Sequence, residues 1–329
     1  MKLNNNHSKT KKIIFVIGHG RSGTTMLNKV LSAHPNISFI NSEFDDLPFF
    51  FTYWNSYNQC GTNRTMMIAK DMFSILNLKK NFYDQYLDFF KVETMNFKEF
   101  MNTFFDFFRW KNNCNLVGIK IANNFHENIE LIANLFDTAF CIHIIRDPRD
   151  IFLSIKKASF GTFSPYYSAI SWKNAINKII TLKNKKLNYY EIKYESLITN
   201  PEKEVKKLCR FLQMPFSKNM MNFQRKIKKT DIHHKFLKKG FVSNNFNKWK
   251  KELTKKELEL IYAAAGKEIY KFGYSKEFLD QKISNATRFR EYFFDKILIT
   301  YSKLRTLKLL KNKKKMYKTK IQIARKLSR

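Results

Sequence analysis

The chain has 329 residues, of which 44% are hydrophobic and 16% aromatic, and this apolar content excludes a generally disordered protein, because enough side chains can be buried to offset the entropy lost on ordering. Lysine and arginine number 61 against 27 aspartate and glutamate residues, so the net charge is +34 and the chain attracts polyanions: nucleic acid, anionic lipid or an acidic small molecule. The four cysteines are scattered without a Cys-x-x-Cys pair, which disfavours a disulfide framework or a zinc site and favours a reducing compartment.

The N-terminal segment is polar and basic. Residues 1–12 are predicted to form a disordered basic arm, and no apolar signal core precedes the first predicted strand. The sequence also contains no run of 18 apolar residues that would span a bilayer as a helix. We therefore expect a cytoplasmic protein.

Short apolar runs alternate with helical patterns along most of the chain. The run Ile13–Ile17, closed by Gly18, is typical of a strand buried on both faces. Segment 44–115 is rich in phenylalanine and mostly helical in pattern. The other predicted elements are a helix ending near residue 34, a strand at 116–121, a helix at 129–136, a strand at 140–145, a helix from 148, a strand at 189–194 and a helix at 201–212. This alternation predicts an α/β fold with a central, mostly parallel sheet flanked by helices.

A glycine-rich segment from Gly18 to Thr25 follows the first strand and opens a helix. Glycines let the backbone approach an anion, and the amides of a helix N-terminus point at it. The spacing Gly18-x4-Gly23 is that of a Walker A loop, but Thr24 stands where the phosphate-binding lysine is expected, and the cation Arg21 lies inside the loop. The pattern favours a P-loop-like site for a nucleotide that is not a metal-bound triphosphate; the alternative is a turn without a binding role.

A second motif follows the strand at 140–145. Arg146 stands at the strand end, Pro148 opens a helix, and Ser154 follows eight residues after the arginine. A guanidinium is a planar fork that matches phosphate oxygens. Taken alone, the motif could also be a capped helix start with local ion pairs.

Together, the segments Phe15–Leu27 and Ile144–Ser154 resemble the two nucleotide-binding segments of sulfotransferases that use 3′-phosphoadenylyl sulfate (PAPS) as donor. The resemblance covers residues 13–274, which we predict to be the sulfotransferase domain, and it implies a reaction that needs no metal. The segment Lys238–Gly240, followed by Trp249, is more weakly similar to the segment that closes over the nucleotide in this family. The gap from Gly240 to Trp249 differs from the gap in the cytosolic members. The residues that the resemblance implies for nucleotide binding are Gly20, Arg21, Ser22, Gly23, Thr24, Thr25, Arg146, Ser154, Lys238, Lys239 and Gly240.

Sulfuryl transfer needs a base for the acceptor, and it needs positive charge near the leaving phosphate. Arg21 is the leading candidate for the charge, and Lys120 is the second, because a similarly placed lysine contributes to catalysis in some Golgi-type members of the family; the alternative for Lys120 is a solvated strand-end charge. In those members of the family whose general base is a carboxylate, this residue lies shortly after the first helix. The resemblance therefore implies Glu43 as the base. Asp46 and His126 are the alternatives, and the acidic residues can also serve only to charge the next helix start.

The sequence thus predicts transfer of a sulfuryl group from PAPS to a hydroxyl or amine of a glycan, a glycolipid or another lipid-linked or small acceptor, by in-line displacement. Two other functions compete with this prediction. One is a P-loop-like nucleotide kinase or NTPase, which the missing Walker lysine disfavours. The other is a non-catalytic polyanion-binding protein, which the two ordered motifs disfavour, because charge alone requires neither.

The composition changes near residue 275, and we predict that residues 275–329 form a basic amphipathic helical extension. Residues 303–329 contain 12 basic residues and no acidic ones. The spacing of Phe294, Ile297, Leu298, Tyr301 and Leu304 places them on one helical face. An apolar face beside a polybasic segment predicts a helix on the inner, anionic face of a membrane. The alternative is a helix that packs on the domain; specific nucleic-acid binding is not expected, because no recognisable module is present.

Overall fold

Five parallel strands form the centre of the structure, in the order β2-β3-β1-β4-β5. The strands are β1 (Ile13–Ile17), β2 (Ile37–Glu43), β3 (Leu116–Ile121), β4 (Phe140–Ile145) and β5 (Asn188–Lys193). The predicted α/β fold with a parallel sheet flanked by helices is confirmed. The connection after β1 leads to β2 at one edge of the sheet, whereas the connection after β3 crosses β1 and leads to β4 on its other side. The chain therefore changes direction at the carboxyl ends of β3 and β1, and such a switch point is where ligands bind in open α/β sheets.

The structure, a computed structural model, describes residues 12–43, 47–57, 64–76, 78, 80–89, 96–121, 129–158, 164–185, 187–227, 237–275, 277, 281–305 and 318–324. Of the predicted N-terminal arm, only Lys12 is among them. The α-helices are α1 (Thr24–Ser32), α2 (Leu47–Tyr53), α3 (Arg64–Ile75), α4 (Lys80–Phe89), α5 (Phe97–Asn112), α6 (Ile129–Leu135), α7 (Pro148–Lys156), α8 (Pro165–Ile180), α9 (Tyr194–Thr199), α10 (Pro201–Phe211), α11 (Trp249–Glu252), α12 (Lys255–Lys271) and α13 (Asn285–Arg305).

Of the five strands of the sheet, β2 is the one that the sequence analysis missed, and it also did not predict the helices α8, α9, α11 and α12. The first half of β2 has buried Ile37 and Phe39 on either side of half-buried Ser38, but the polar residues Asn41 and Ser42 interrupt the apolar pattern. It lies at one edge of the sheet, and its pairing with β3 shifts register between Phe39 and Glu43. An irregular edge strand of this kind leaves a weak periodic signal.

The phenylalanine-rich region forms the helices α2 to α5 and builds the largest part of the core. Along α5, buried rings recur at Phe97, Phe100, Phe104 and Phe108, so one face of the helix is continuously aromatic. Phe105 points to the sheet side and packs against the ring of Phe136, which in turn contacts the β1 side chain Phe15. The aromatic content of this region is therefore largely core.

The helices α8 and α12 pack against each other in a cluster that includes Ile145 at the end of β4. Trp172 of α8 is fully buried, and its indole Nε1 donates a hydrogen bond to the carbonyl oxygen of Arg146 at 3.1 Å. This bond fixes the backbone where β4 ends, which is the position of the second sequence motif.

The C-terminal region contains the helix α13 and a further helical turn at residues 318–324, in which Ile323 is buried in the same core cluster as the phenylalanine-rich helices. Residues 306–317 and 325–329, which include most of the basic run, lie outside the described residues. Among the described helices, none is long and apolar enough to cross a bilayer.

Gly118 provides a test of the packing that positions β3. A Cβ atom at this position would lie 2.6 Å from Cε1 of Phe39 on the neighbouring strand. We expect Gly118→Ala to lower the free energy of unfolding by about 1–3 kcal/mol, because overpacking forces the sheet or the ring to move. The measurement is urea denaturation of the two single variants and of Gly118→Ala/Phe39→Leu. If the clash exists, the double variant should lose less unfolding free energy than the sum of the losses in the two single variants. A loss equal to or greater than that sum would contradict the proposed clash.

Candidate functional site

Four strand ends lie side by side at the carboxyl end of the sheet. Val16 of β1 pairs with Lys120 of β3, and Ile17 pairs with His143 of β4, so the loop after β1 lies between the ends of its two neighbours. On the far side of β3, the backbone of Glu43 in β2 pairs with Lys120. The carboxyl ends of these four strands therefore bring the loop with Arg21, the residues Lys120 and Arg146, and the backbone of Glu43 to one end of the sheet.

The loop from Gly18 to Gly23 needs its glycines for two different reasons. A Cβ on Gly18 would lie 2.6 Å from the carbonyl oxygen of Ile144, so the close approach of β1 to β4 requires glycine. Gly23 has φ 100°, and a Cβ there would also lie 2.5 Å from the ring of Tyr194. Between them, Arg21 has φ 70°, a left-handed conformation that is costly for a residue with a side chain and that clusters at functional loops.

The helix α1 opens directly onto this loop. Its N-cap is Gly23, and no side chain of the described residues caps it, so its first amides face the loop without a competing side-chain oxygen. Within the described part of the chain, the buried Ser22 Oγ also has no hydrogen-bond partner. A buried, unsatisfied hydroxyl beside uncapped amides is an arrangement that an anion satisfies.

Lys120 reaches the same loop from β3. Its side chain is buried, and its Nζ donates a hydrogen bond to Thr25 Oγ1 at 3.2 Å. A solvated strand-end charge, the alternative for this residue, does not fit that burial. The ammonium group is therefore fixed beside the first turn of α1.

Two arginines from different strand ends converge in the site. Nε of Arg21 donates to Ser154 Oγ at 3.0 Å. The guanidinium of Arg146 lies 4.2 Å above the ring of Tyr194 and donates to the carbonyl oxygens of Arg21 at 3.1 Å and Asn245 at 3.2 Å. Of its five donors, these bonds use two, and among the described residues its buried Nε has no partner. Arg146 is thus oriented by neutral groups and retains donors for an anion.

The two guanidinium groups also repel each other. Burial, and then the charge of Arg146, lower the pKa of Arg21 below its ordinary value. Both effects penalise the cation, and a negatively charged group placed between the arginines would relieve both. The electrostatics of the site therefore favour a bound anion.

The charged residues that follow Arg146 serve the scaffold. Asp147 caps α7 and forms a buried ion pair with Arg149 at 2.6 Å, and Arg149 donates further to Tyr262 at 2.8 Å. Glu195 Oε1 accepts a hydrogen bond from the backbone amide of Asp147 at 3.0 Å. The local ion pairs that were the alternative explanation of this motif exist, but they use Asp147 and Arg149 and leave Arg146 facing the loop.

Asp150 connects the motif to the C-terminal part of the domain. Its carboxylate accepts hydrogen bonds from the backbone amides of Asn247 at 2.7 Å and Trp249 at 3.1 Å. Burial, and then the charge of Asp147, raise the pKa of this carboxyl group. These bonds hold the segment that presents the Asn245 carbonyl to Arg146, a role that the sequence analysis did not predict.

His19 is a further residue of the loop that the sequence analysis missed. Its Nδ1 lies 2.8 Å from the carbonyl oxygen of Gly20, so this nitrogen must be the donor. The other ring nitrogen, Nε2, then accepts from the hydroxyl of Ser171 on α8 at 3.1 Å. The histidine thereby connects the loop from Gly18 to Gly23 with the helix α8, and its position two residues before Arg21 was the available signal.

For the remaining predicted residues, the structure describes few side-chain contacts or none. Lys238 and Lys239 are exposed, and no hydrogen bond or ion pair joins their side chains to other described residues. Gly240, with φ 73°, closes the turn that contains them. For Glu43 only the backbone position at the end of β2 is described, and the alternative bases, Asp46 and His126, lie outside the described residues.

Comparison with known proteins gives a consistent result. The model of the family described as "Sulfotransferase family" matches residues 14–218. A relative from Caenorhabditis briggsae, named "Putative protein-tyrosine sulfotransferase", is 21% identical over 243 residues, which cover 73% of this chain and 79% of that protein.

Two solved structures share the fold. The sulfotransferase domain of the Synechococcus PCC 7002 olefin synthase has a TM-score of 0.53 at 16% identity and covers 84% of this chain and 99% of its own. The sulfotransferase domain of the curacin biosynthetic pathway has a TM-score of 0.55 at 17% identity, and the match covers 82% of this chain and 99% of that domain. Because the family model extends from residue 14 to residue 218, more than half of the chain, the protein belongs to the sulfotransferase family.

Proposed function

We propose that this protein transfers a sulfuryl group from PAPS to a hydroxyl or amine acceptor. The observation that supports the proposal most strongly is the convergence of Arg21, Ser154 and Arg146 on a phosphate loop that has no Walker lysine. A metal-bound triphosphate would need that lysine, whereas a donor with separate 5′ and 3′ phosphate groups needs two anion sites.

The side chains present fit such a donor. The uncapped amides of α1 and the unsatisfied Ser22 hydroxyl suit the 5′ phosphosulfate, together with Arg21, Thr24 and Thr25. Arg146 and Ser154 suit the 3′ phosphate, because Arg146 retains guanidinium donors and Ser154 presents a hydroxyl from the helix α7 that follows it. PAPS, when bound, supplies the activated sulfuryl group.

The remaining chemistry belongs to the protein. We propose that Glu43 takes the proton from the acceptor hydroxyl while the acceptor oxygen forms its bond to sulfur and the sulfur–oxygen bond to the phosphate breaks. The negative charge that develops on the departing phosphate oxygen would be stabilised by Arg21 and by Lys120, whose ammonium is already fixed beside Thr25. The products would be the sulfated acceptor and adenosine 3′,5′-bisphosphate.

The acceptor class that we propose is a hydroxyl on a glycan, a glycolipid or another lipid-linked or small molecule. The name of the Caenorhabditis briggsae relative adds a protein tyrosine as a second candidate. Both are hydroxyl acceptors and require the same base. The direct test is transfer of labelled sulfate from PAPS to a panel that contains glycolipid extracts, free glycans and tyrosine peptides. Failure to label any acceptor while the protein binds the donor would contradict the proposed transferase activity for these classes.

The two arginines give the first test of the nucleotide site. We expect Arg21→Ala and Arg146→Ala each to weaken binding of adenosine 3′,5′-bisphosphate by on the order of 2–5 kcal/mol, because a charged hydrogen bond to a partly buried anion is lost. Isothermal titration calorimetry measures the change. Arg210→Ala, at an exposed position of α10, is the matched control and should bind as the unaltered protein does. Unchanged affinity in both site variants would remove the nucleotide-site assignment.

The proposed base gives the second test. Glu43→Gln should abolish sulfuryl transfer and leave bisphosphate affinity intact, because the amide retains the shape of the side chain and cannot accept the proton. Asp46→Asn and His126→Ala are measured beside it in the same transfer assay. Near-full turnover of Glu43→Gln, with either of the other variants inactive, would reassign the base.

Asp150 gives a third test, of the connection between α7 and the Asn245 segment. Asp150→Ala removes the acceptor of two backbone amides, so Arg146 loses part of its orientation. We expect roughly tenfold weaker bisphosphate binding, about 1.4 kcal/mol, together with a lower melting temperature. Glu252→Ala, at the surface of the neighbouring α11, is the control. A variant that melts earlier but binds the bisphosphate normally would limit Asp150 to stability.

A further inference from the structure

The helix α13 is attached to the domain through its acidic side chains. Asp295 Oδ1 accepts a hydrogen bond from the backbone amide of Ser164 at 2.9 Å, and Glu291 Oε2 accepts one from the Ser164 hydroxyl at 2.9 Å. Ser164 is the N-cap of α8, and both carboxylates are buried. Anionic side chains are stabilised at a helix N-terminus, which explains why the acidic residues of α13 turn inward.

This attachment fixes which side of α13 faces outward. Residues 291 and 295 are four apart and lie on one face, so Phe289, Phe293 and Ile297, also four apart, lie on the opposite face. Their exposed fractions are 68%, 58% and 54%, and the two phenylalanine rings stack with their centroids 6.1 Å apart. We call these three residues the outer stripe. The helix thus buries its acids and exposes its large apolar side chains, the reverse of an ordinary surface helix.

Along the described part of α13, the charged side chains on the two sides of the outer stripe are cationic, and one of them, Arg290, also lies 3.7 Å from the carboxylate of Glu291. Both Arg290 and Lys296 are exposed, and the two acidic residues of α13 are the buried ones. Residues 303–329, which begin within the last turn of the helix, add 12 basic residues and no acidic one. Long cationic side chains beside an apolar stripe can extend to a phosphate layer while the stripe enters the acyl region.

We propose that α13 lies in the surface of an anionic lipid bilayer, with the outer stripe inserted and Arg290 and Lys296 at the headgroups. Charge complementarity selects this occupant. A second copy of the chain would bring together two molecules that each have a net charge of +34. A soluble polyanion would be attracted by the lysines and arginines but would leave the phenylalanines exposed to water. Of the apolar face predicted from the sequence, Phe294 and Ile297 are exposed and Leu298 is half-buried, while the side chains of Tyr301 and Leu304 lie outside the described part of the chain.

The test measures co-sedimentation of the full chain with vesicles of phosphatidylglycerol and phosphatidylcholine, and with phosphatidylcholine alone. The full chain should bind the anionic vesicles selectively, and binding should fall steeply with salt. Phe289→Ala/Phe293→Ala should reduce partitioning at least about tenfold, because two apolar rings no longer enter the bilayer. Its control is Phe51→Ala/Met66→Ala, which removes two exposed apolar side chains elsewhere.

The contribution of charge is tested with Arg290→Gln/Lys296→Gln, for which we expect partitioning onto anionic vesicles to fall about tenfold. Lys256→Gln/Lys267→Gln, at exposed positions of α12, is its control and should lose much less. Bisphosphate affinity should be the same in all of these variants, so a fault in folding or in the nucleotide site would be seen separately. In Phe293→Trp, the added indole emission should shift to the blue with anionic vesicles.

Three outcomes would overturn the proposal. One is equal binding of the outer-stripe variant and its control to anionic vesicles. Another is equal binding to neutral and anionic vesicles at all salt concentrations. The third is a concentration-dependent dimer in sedimentation equilibrium that is lost in Phe289→Ala/Phe293→Ala, which would assign the outer stripe to a second copy.

Discussion

The site depends on the repulsion between two guanidinium groups that the sheet holds close together. Arg21 follows β1 and Arg146 follows β4, and the parallel pairing of these strands brings their ends side by side. Water would screen the repulsion between two exposed cations, but these two side chains are largely shielded from water. Burial lowers the pKa of Arg21, and Arg146 lies among carbonyl oxygens and the ring of Tyr194. The fold therefore maintains a region of positive potential that an anion can neutralise.

The neighbouring charges are arranged so that they do not cancel this potential. Asp147 is paired with Arg149, and Asp150 is occupied by two backbone amides, so each carboxylate next to the β4 end already has its partners. Such buried groups are costly to desolvate, and they are tolerated because their hydrogen bonds are complete. Their arrangement leaves Arg146 bound to neutral oxygens, while Lys120 adds a third cation beside the first turn of α1.

The parts of the structure that sequence reasoning reached are those encoded locally. The glycine-rich loop after β1 and the end of β4 could be predicted because a strand, a turn and a helix start follow each other within about ten residues. The contacts of Asp150 with Asn247 and Trp249 join segments nearly a hundred residues apart, and no local pattern announces them. The strand β2 was missed because an edge strand with polar residues has little periodicity. The base could only be proposed, because its identification depends on reach, and sequence spacing does not determine reach.

The measurement that tests the central claim most directly is a thermal-shift comparison of adenosine 3′,5′-bisphosphate with ATP and Mg²⁺ at equal concentrations. A ligand that binds the folded state raises the melting temperature by mass action. A site with the two proposed phosphate-binding centres and no Walker lysine should be stabilised by the bisphosphate, and much less by ATP with Mg²⁺. Stabilisation by ATP with Mg²⁺ and none by the bisphosphate would contradict the account and would support a nucleoside triphosphate as the ligand of the loop.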